Sequence, residues 1–179
     1  MKVKEVMVGT VVTCSANDDL NRPAQIMWEN DCGIVPVVEG DGVLVGMISD
    51  RDICMAAYTR GSTLSQMQVG EIMSREVKTC RADDDASVLN ASMRAQRVRR
   101  VPVVNATGRL VGIVSLSDLA RRAAYDRGSA SKGMSLDSVG ETLAAVCQPW
   151  GSSVDSTRSI APAGGAGKDA ATLQPQRSR

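Results

Sequence analysis

The chain has 179 residues, of which 43% are hydrophobic and 23% charged, and its formal net charge is +1. These values are typical of a globular protein and provide no general electrostatic attraction to nucleic acid. Histidine is absent, which removes the usual proton shuttle and metal ligand. No apolar run reaches the roughly 18 residues of a membrane span, so we expect no membrane insertion. Five cysteines without Cys-x-x-Cys spacing, and no apolar N-terminal signal segment, predict a reduced, cytoplasmic setting.

The first sixty residues predict the order β-α-β-β-α. The elements are a short strand at 11–13, a helix capped by Asp18 and Asp19, strands at 35–38 and 44–48 around an Asp41-Gly42 turn, and a helix from Ser49 to Tyr58. The two strands separated by a turn signal indicate a β-hairpin. Helices packed on a small, partly antiparallel sheet make this an α+β arrangement.

The same order recurs 66 residues later. Val3–Ile53 aligns without a gap with Val69–Leu119, and 20 of the 51 residue pairs are identical. A unit of this size is small for an independent core, so we expect two β-α-β-β-α copies packed with pseudo-two-fold symmetry. The predicted organisation is repeat 1 at 1–59, a connection at 60–68 and repeat 2 at 69–127.

The residues after the second copy have a different composition. Ser135 is suited to cap an amphipathic helix through Leu136, Val139 and Leu143, which Pro149 ends, and we expect residues 128–150 to dock this helix on the pair. Residues 151–179 are rich in Ser, Gly, Ala and Pro and are expected to be a disordered tail.

A Ser-x-x-Asp motif follows each predicted hairpin, at Ser49 to Asp52 and at Ser115 to Asp118. One interpretation is structural, because this spacing is typical of a capping box that begins a helix. The other is functional, because an aspartate at a strand-to-helix junction can accept both hydroxyls of a ribose, while helix N-terminal amides favour a phosphate. The spacing alone leaves both interpretations open.

The segments around these motifs resemble the CBS domain. Gly46–Ile53 (GMISDRDI) and Gly112–Leu119 (GIVSLSDL) each follow a Val-Pro-Val-Val run, and the tandem is similar to a CBS pair, or Bateman module, of the stand-alone bacterial type. The resemblance implies two clefts between the repeats that bind adenosine-containing ligands: AMP, ADP, ATP, NAD or S-adenosylmethionine. It implies no required cofactor.

The resemblance also implies which residues line the clefts. They are the ribose aspartates Asp52 and Asp118, their hydroxyl partners Ser49 and Ser115 together with Ser117, the adenine-side residues Thr10, Val12, Thr13, Val77 and Thr79, and a phosphate-binding pair, Arg99 and Arg100. Gly33-Ile34 takes the place of the basic pair in the first copy. We therefore expect unequal clefts, with the stronger one at Asp118.

These features favour a regulatory module that senses an adenine nucleotide and signals to an unidentified protein partner by a conformational change. An enzyme is not expected, because the chain has no Gly-rich phosphate loop and no nucleophile paired with histidine. Two alternatives stay open: a ligand-free structural or dimerisation pair, and a nucleic-acid-associated CBS protein suggested by Arg94–Arg100 and Arg121-Arg122. The resemblance further implies a homodimer, for which Met27 and Trp28 are candidate contacts.

Overall fold

The computed structural model describes residues 1–126 and 134–149. The helices and strands follow one another as α1 (Asn21–Glu29), β1 (Ile34–Glu39), β2 (Val43–Ser49), α2 (Asp50–Arg60), α3 (Val69–Ile72), α4 (Ala86–Gln96), β3 (Arg100–Val104), β4 (Leu110–Ser115), α5 (Leu116–Tyr125) and α6 (Leu136–Val146). Short 3-10 turns precede this series at Val3–Glu5 and occur within it at Leu64–Gln66. Mixed helices and strands in two repeats confirm the predicted α+β class.

Each repeat contains one antiparallel hairpin, β1-β2 in repeat 1 and β3-β4 in repeat 2. The two hairpins have the same register, and each has a shift at the equivalent position, after Val37 and after Val103. Gly42 and Gly108, in the two turns, have φ angles of +89° and +78°, which glycine adopts without strain. The sequence predicted both hairpins correctly.

The strands predicted at 11–13 and 77–79 are wrong. Neither segment forms a strand, and only the residue that follows each one makes a parallel bridge with a hairpin, Cys14 with Val37 and Cys80 with Val103. The amides of Cys14 and Cys80 donate to the carbonyls of Pro36 and Pro102. The next bond of a parallel ladder would require Pro36 or Pro102 to donate an N–H, which proline lacks, so the pairing stops there.

The two repeats exchange their first segments. Val3 is fully buried in the core of repeat 2, whereas Met67, Val69 and Met73 are buried in the core of repeat 1. Each exchanged segment forms a crossing to the opposite repeat. Backbone pairing fixes both crossings, because Val8 pairs with Ile113 on β4 and Ser74 pairs with Met47 on β2. Neither hydrophobic core is therefore built from one repeat alone.

The crossings and the hairpin turns obey the same pseudo-two-fold symmetry. Leu44 N donates to Gly108 O at 3.1 Å, and the equivalent Leu110 N donates to Gly42 O at 3.0 Å. A Cβ atom at Gly46 or Gly112 would lie 3.0 Å from the backbone oxygen of Ser74 or Val8, which is tighter than an ordinary contact, so both crossings favour glycine in the underlying strand. These matched contacts join the repeats into one unit, which the contact pattern delimits as Met1–Gln148.

Helix α6 breaks the symmetry, because it packs on α4 and α5 of repeat 2. Ser135 caps it by accepting from Ser138 N at 3.2 Å. The buried Asn90 side chain on α4 donates to Ser138 O at 3.1 Å and to Ser138 Oγ at 2.9 Å. Val139 and Leu136 complete the contact in the core of repeat 2.

The predicted helix caps mostly match the structure. Asp85 caps α4 through a 2.8 Å bond from Ser87 N. In α1 the residue at the cap position is Leu20. The side chain of Asp19, one residue before it, accepts a hydrogen bond from Asn21 N at 3.0 Å. The longest helices in the described part of the chain have 11 residues, and none of these helices could span a membrane. The predicted tail at 151–179 lies outside the described residues.

Candidate functional site

A cavity of about 420 Å³ lies between the two repeats, at the N-terminus of α2. Repeat 1 contributes Ser49, Asp50 and Asp52, and repeat 2 contributes residues 76–78 and Arg99-Arg100. The remaining wall is largely apolar and is formed by Ile34, Met47, Val77, Val98 and Pro102. The cavity therefore combines an acidic corner, a basic corner and an apolar surface, which is the composition of a small-molecule site.

Asp52 is held by the capping box of α2. Its Oδ2 accepts from Ser49 N at 2.9 Å and from Ser49 Oγ at 2.7 Å, while Asp52 N donates to Ser49 Oγ at 3.2 Å. Its Oδ1 accepts no hydrogen bond from the residues that the structure describes. The structural and functional interpretations of the motif are thus compatible, because one oxygen caps the helix and the other is available to a ligand.

Arg99 and Arg100 line this cavity. Within residues 1–126 and 134–149 neither guanidinium forms an ion pair or a side-chain hydrogen bond. The prediction that the Asp52 cleft lacks a basic pair is therefore wrong. The pair follows α4 of repeat 2, and the pseudo-symmetric packing brings it against the Ser-x-x-Asp motif of repeat 1.

The second motif has the same capping bonds, but the outer carboxylate oxygen, which does not cap the helix, has a different partner. Ser115 N donates to Asp118 Oδ2 at 2.8 Å, as in repeat 1. Asp118 Oδ1 is already paired with the guanidinium of Arg121, one turn later on α5. The residue equivalent to Arg121 in repeat 1 is Met55, which cannot form this bond. The two outer oxygens therefore differ, because that of Asp118 is paired with an exposed arginine of its own helix, whereas that of Asp52 accepts no bond from the described residues. This pairing counts against the expected stronger cleft at Asp118.

The other predicted site residues fall in several places. Ser115 and Ser117 line a second cavity of about 570 Å³, together with Arg99 and Arg100. Val77 lines the first cavity, and Thr79 is exposed two residues beyond it. Thr10 and Val12 are exposed, and Thr13 lines a separate hollow near Arg22.

Several residues that line this cavity, among them Gly33, Met47 and Ser74, were missing from the predicted site, and Glu76 and Lys78 flank the predicted Val77. The amides of Glu76 and Lys78 donate no backbone hydrogen bond to the described residues, so this stretch presents a free main-chain edge and charges of both signs. Gly33 allows close approach, because a Cβ atom there would lie 2.9 Å from Asp50 Oδ2. The Asp118-x-x-Arg121 spacing could have revealed the blocked carboxylate, since residues three apart on a helix are neighbours.

The family of the chain follows from its sequence matches. A model of the CBS domain matches residues 3–58 and, a second time, residues 69–125. The chain belongs to the CBS-domain family. Each repeat is one CBS domain, and a stand-alone CBS pair is generally a regulatory rather than a catalytic unit. Among residues 1–126 and 134–149, no cluster of three or more His, Cys, Asp or Glu side chains could hold a metal ion.

Similar proteins include other CBS pairs. The CBS domain-containing protein YhcV of Bacillus subtilis is 40% identical over 121 residues, which cover 66% of this chain and 82% of that protein. Hypoxic response protein 1 of Mycobacterium tuberculosis is 32% identical over 118 residues, with the same two coverages of 66% and 82%.

Solved structures show the same fold. Hypoxic Response Protein I, crystallised with two coordinated zinc ions, superposes with a TM-score of 0.62 at 31% identity, covering 68% of this chain and 98% of that chain. The CBS pair of protein MJ0100, in complex with 5′-methylthioadenosine and S-adenosyl-L-methionine, gives a TM-score of 0.61 at 29% identity and covers 68% and 98%. The predicted tandem CBS architecture is confirmed.

Proposed function

We propose that this CBS pair is a regulatory module that binds an adenosine-containing ligand in the cavity at Asp52. The observation that carries the proposal is that one cavity contains Asp52 Oδ1, Arg99 and Arg100, none of which has a side-chain partner among the described residues. A carboxylate oxygen accepts ribose hydroxyls, and guanidinium groups bind phosphate in a fixed planar geometry. The candidate ligands are AMP, ADP, ATP, NAD and S-adenosylmethionine, and the arginine pair favours those with phosphate.

The remaining wall suits the base. Met47, Val77 and Pro102 provide apolar surface, and the amides of Glu76 and Lys78 are free to recognise the polar edge of adenine. The adenosine-type ligands bound by the CBS pair of MJ0100 support this class of ligand. Because the cavity takes residues from both repeats, a ligand that contacts both stabilises one relative orientation of the repeats, which a protein partner can sense.

The test is calorimetric titration of the full chain with each of the five candidates. We expect at least one phosphate-bearing ligand to bind, and Asp52→Asn to weaken it by about 1.5 to 3 kcal/mol, the usual value of a hydrogen bond to a charged group. Asp118→Asn is the matched control, because it alters the same cap while its outer oxygen is already paired with Arg121. If none of the five ligands binds, the chain is a ligand-free structural pair. A larger loss of affinity with Asp118→Asn than with Asp52→Asn would place the ligand site at the motif of repeat 2.

We also propose that the pair forms a homodimer through the α1-α2 face of repeat 1. Trp28 and Tyr58 on this face are 89% and 81% exposed. The residue of repeat 2 equivalent to Trp28 is Arg94, which pairs with Glu141 of α6. In repeat 2, therefore, a helix of this same chain covers the equivalent face, whereas no element of the described residues covers this face of repeat 1.

Sedimentation velocity tests the dimer. Trp28→Asp should convert dimers to monomers, whereas Tyr125→Asp, an equally exposed aromatic position on repeat 2, should not. A wild-type chain that sediments as a monomer at every concentration would contradict the homodimer. The cytoplasmic location stays a prediction; the described cysteines are all free thiols.

A further inference from the structure

Helix α6 carries two acidic residues, Asp137 and Glu141, and no basic one. It packs on α4, whose last turn begins a strongly basic segment: residues 94–100 contain four arginines and no acidic residue. Opposite charges therefore meet along this contact, in addition to the apolar packing of Val139 in the core of repeat 2.

Two of the four arginines bond directly to α6 or to the residue that follows its cap. The Arg94 guanidinium pairs with the Glu141 carboxylate, and the Arg97 guanidinium donates to Gln148 Oε1 at 3.3 Å. The C-terminal end of a helix carries a partial negative charge, which a nearby guanidinium stabilises. Arg97 makes its contact from a left-handed backbone conformation with φ +54°, which arginine adopts less readily than glycine or asparagine.

The other two arginines, Arg99 and Arg100, lie between α6 and the first cavity. Both line the first cavity with Asp52, and both also line the second cavity, to which α6 contributes Val139 and Leu143. Within residues 1–126 and 134–149 neither guanidinium forms an ion pair or a side-chain hydrogen bond. Their positive charge therefore acts both on the acidic helix and on an anion in the first cavity.

We propose that a phosphate-bearing ligand in the first cavity releases α6 from repeat 2. The ligand part of this proposal rests on the proposed function. A bound phosphate neutralises the positive charge of Arg99 and Arg100, so the acidic helix loses part of its electrostatic attraction to residues 94–100. Release uncovers the α4-α5 surface, and ligand binding between the repeats thereby changes the exposed surface of repeat 2.

The coupling is reciprocal, because α6 and the phosphate are attracted by the same positive charge. The factor by which saturating ligand favours release of α6 is also the factor by which release of α6 raises the affinity for the ligand. Such couplings typically amount to about 5-fold or more. Salt screens charges near a protein surface, so the factor should decrease in about 0.5 M NaCl.

Hydrogen–deuterium exchange on the full chain measures the opening of α6. Saturating AMP should speed exchange of the amides of residues 140–146 by about 5-fold or more. Adenosine is the matched control ligand, because it offers its ribose to Asp52 but has no phosphate for Arg99 and Arg100. At saturation it should leave the exchange of these amides unchanged.

Charge variants test the electrostatic attraction of α6 without any ligand. Arg99→Gln combined with Arg100→Gln should speed exchange of the same amides by about 5-fold or more. Arg51→Gln is the matched control and should leave their exchange unchanged, because Arg51 lines the first cavity but not the cavity to which α6 contributes. In Glu141→Gln the helix is less acidic, so the ratio of exchange rates with and without AMP should fall.

Exchange of the α6 amides that AMP slows or leaves unchanged would overturn the proposal, and so would equal acceleration by adenosine. A chain that does not bind AMP contradicts the proposed function instead. The arginine variants then decide the present proposal: α6 amides that exchange at the wild-type rate when Arg99 and Arg100 are both glutamine would exclude any attraction of these charges on the helix.

Discussion

The two Ser-x-x-Asp motifs have the same backbone and the same cap, yet within the described residues only the aspartate of repeat 1 has a carboxylate oxygen without a partner. Asp52 has Met55 one turn later, and Asp118 has Arg121. Repeat 2 also carries α6 on α4 and α5, whereas no described element covers the equivalent face of repeat 1. Duplication therefore preserved the fold in both halves, whereas a few single positions and one added helix made the two clefts chemically different.

We expect that neither repeat folds alone, because each core contains residues of the other repeat or of the connection. The core of repeat 1 includes Met67, Val69 and Met73, which lie in the segment after the first repeat. A fragment of residues 1–61 lacks all three, and its own Val3 belongs to the other core. We expect this fragment to show no cooperative thermal transition, because a core of its size is marginal even when complete. A cooperative, monomeric melt monitored by circular dichroism would contradict the exchanged cores.

Removal of α6 should affect repeat 2 selectively. A chain that ends at Asp126 loses Leu136 and Val139 and exposes the α4-α5 surface, so we expect its free energy of unfolding to fall by about 2 to 4 kcal/mol. A chain that ends at Pro149 retains the helix and should stay within about 0.5 kcal/mol of the wild type. Urea denaturation measures both, and equal stability of the two truncated chains would exclude a structural role for α6.

Cys14 and Cys80 occupy equivalent positions in the two repeats, so we expect their thiols to react alike. Burial, together with the neighbouring carboxylates of Asp18 and Asp84, raises the pKa of Cys14 and of Cys80 from 9.0 to about 11. At pH 8 their thiolate fraction is about 100-fold lower than that of ordinary thiols, so iodoacetamide should modify the exposed Cys54 and Cys147 first. Mass spectrometry of tryptic peptides gives the order.

The same raised pKa values have a consequence for stability. The unfolded chain releases these protons near pH 9 and the folded chain only near pH 11. Their contribution to the free energy of unfolding is therefore complete below about pH 9 and decreases as the pH rises to about 11. Rapid modification of Cys14 or Cys80 by iodoacetamide at pH 8 would contradict the raised pKa of these thiols.

Local patterns predicted the elements of the fold but not the exchange between repeats. The hairpins follow from β-branched runs around Gly42 and Gly108, and the helix starts follow from Ser49, Ser115 and Ser135, because these signals act over a few residues. The burial of Val3 in the core of repeat 2 depends on long-range packing, which no local pattern encodes. The two false strands arise from Pro36 and Pro102, whose missing N–H acts on a neighbouring segment rather than on their own strand.

The candidate site was predicted in its residue types and in part of its grouping, because Arg99 and Arg100 do line a cavity with Ser115 and Ser117 as expected. Asp52, Ser49, Val77, Arg99 and Arg100 were identified from the resemblance, and the structure brings all five to one cavity. The arginines were expected at the motif of repeat 2, and they line cavities at both motifs. The packing of repeat 2 against repeat 1, which no local pattern encodes, brings them to the motif of repeat 1 as well.

The role of the Asp52 oxygen is tested most directly by placing at position 55 of repeat 1 the arginine that repeat 2 has at the equivalent position 121. We compare the Kd of AMP with that of 2′,3′-dideoxy-AMP by calorimetry, so that any effect on phosphate binding cancels in the ratio. The wild type and Met55→Gln should prefer AMP by about 10-fold or more, because Asp52 Oδ1 accepts the ribose hydroxyls. In Met55→Arg the new guanidinium should occupy that oxygen, as Arg121 does in repeat 2, and the ratio should fall to about 1. A Met55→Arg chain that keeps the full preference for AMP would contradict the claim that a free Asp52 oxygen makes this cleft the nucleotide site.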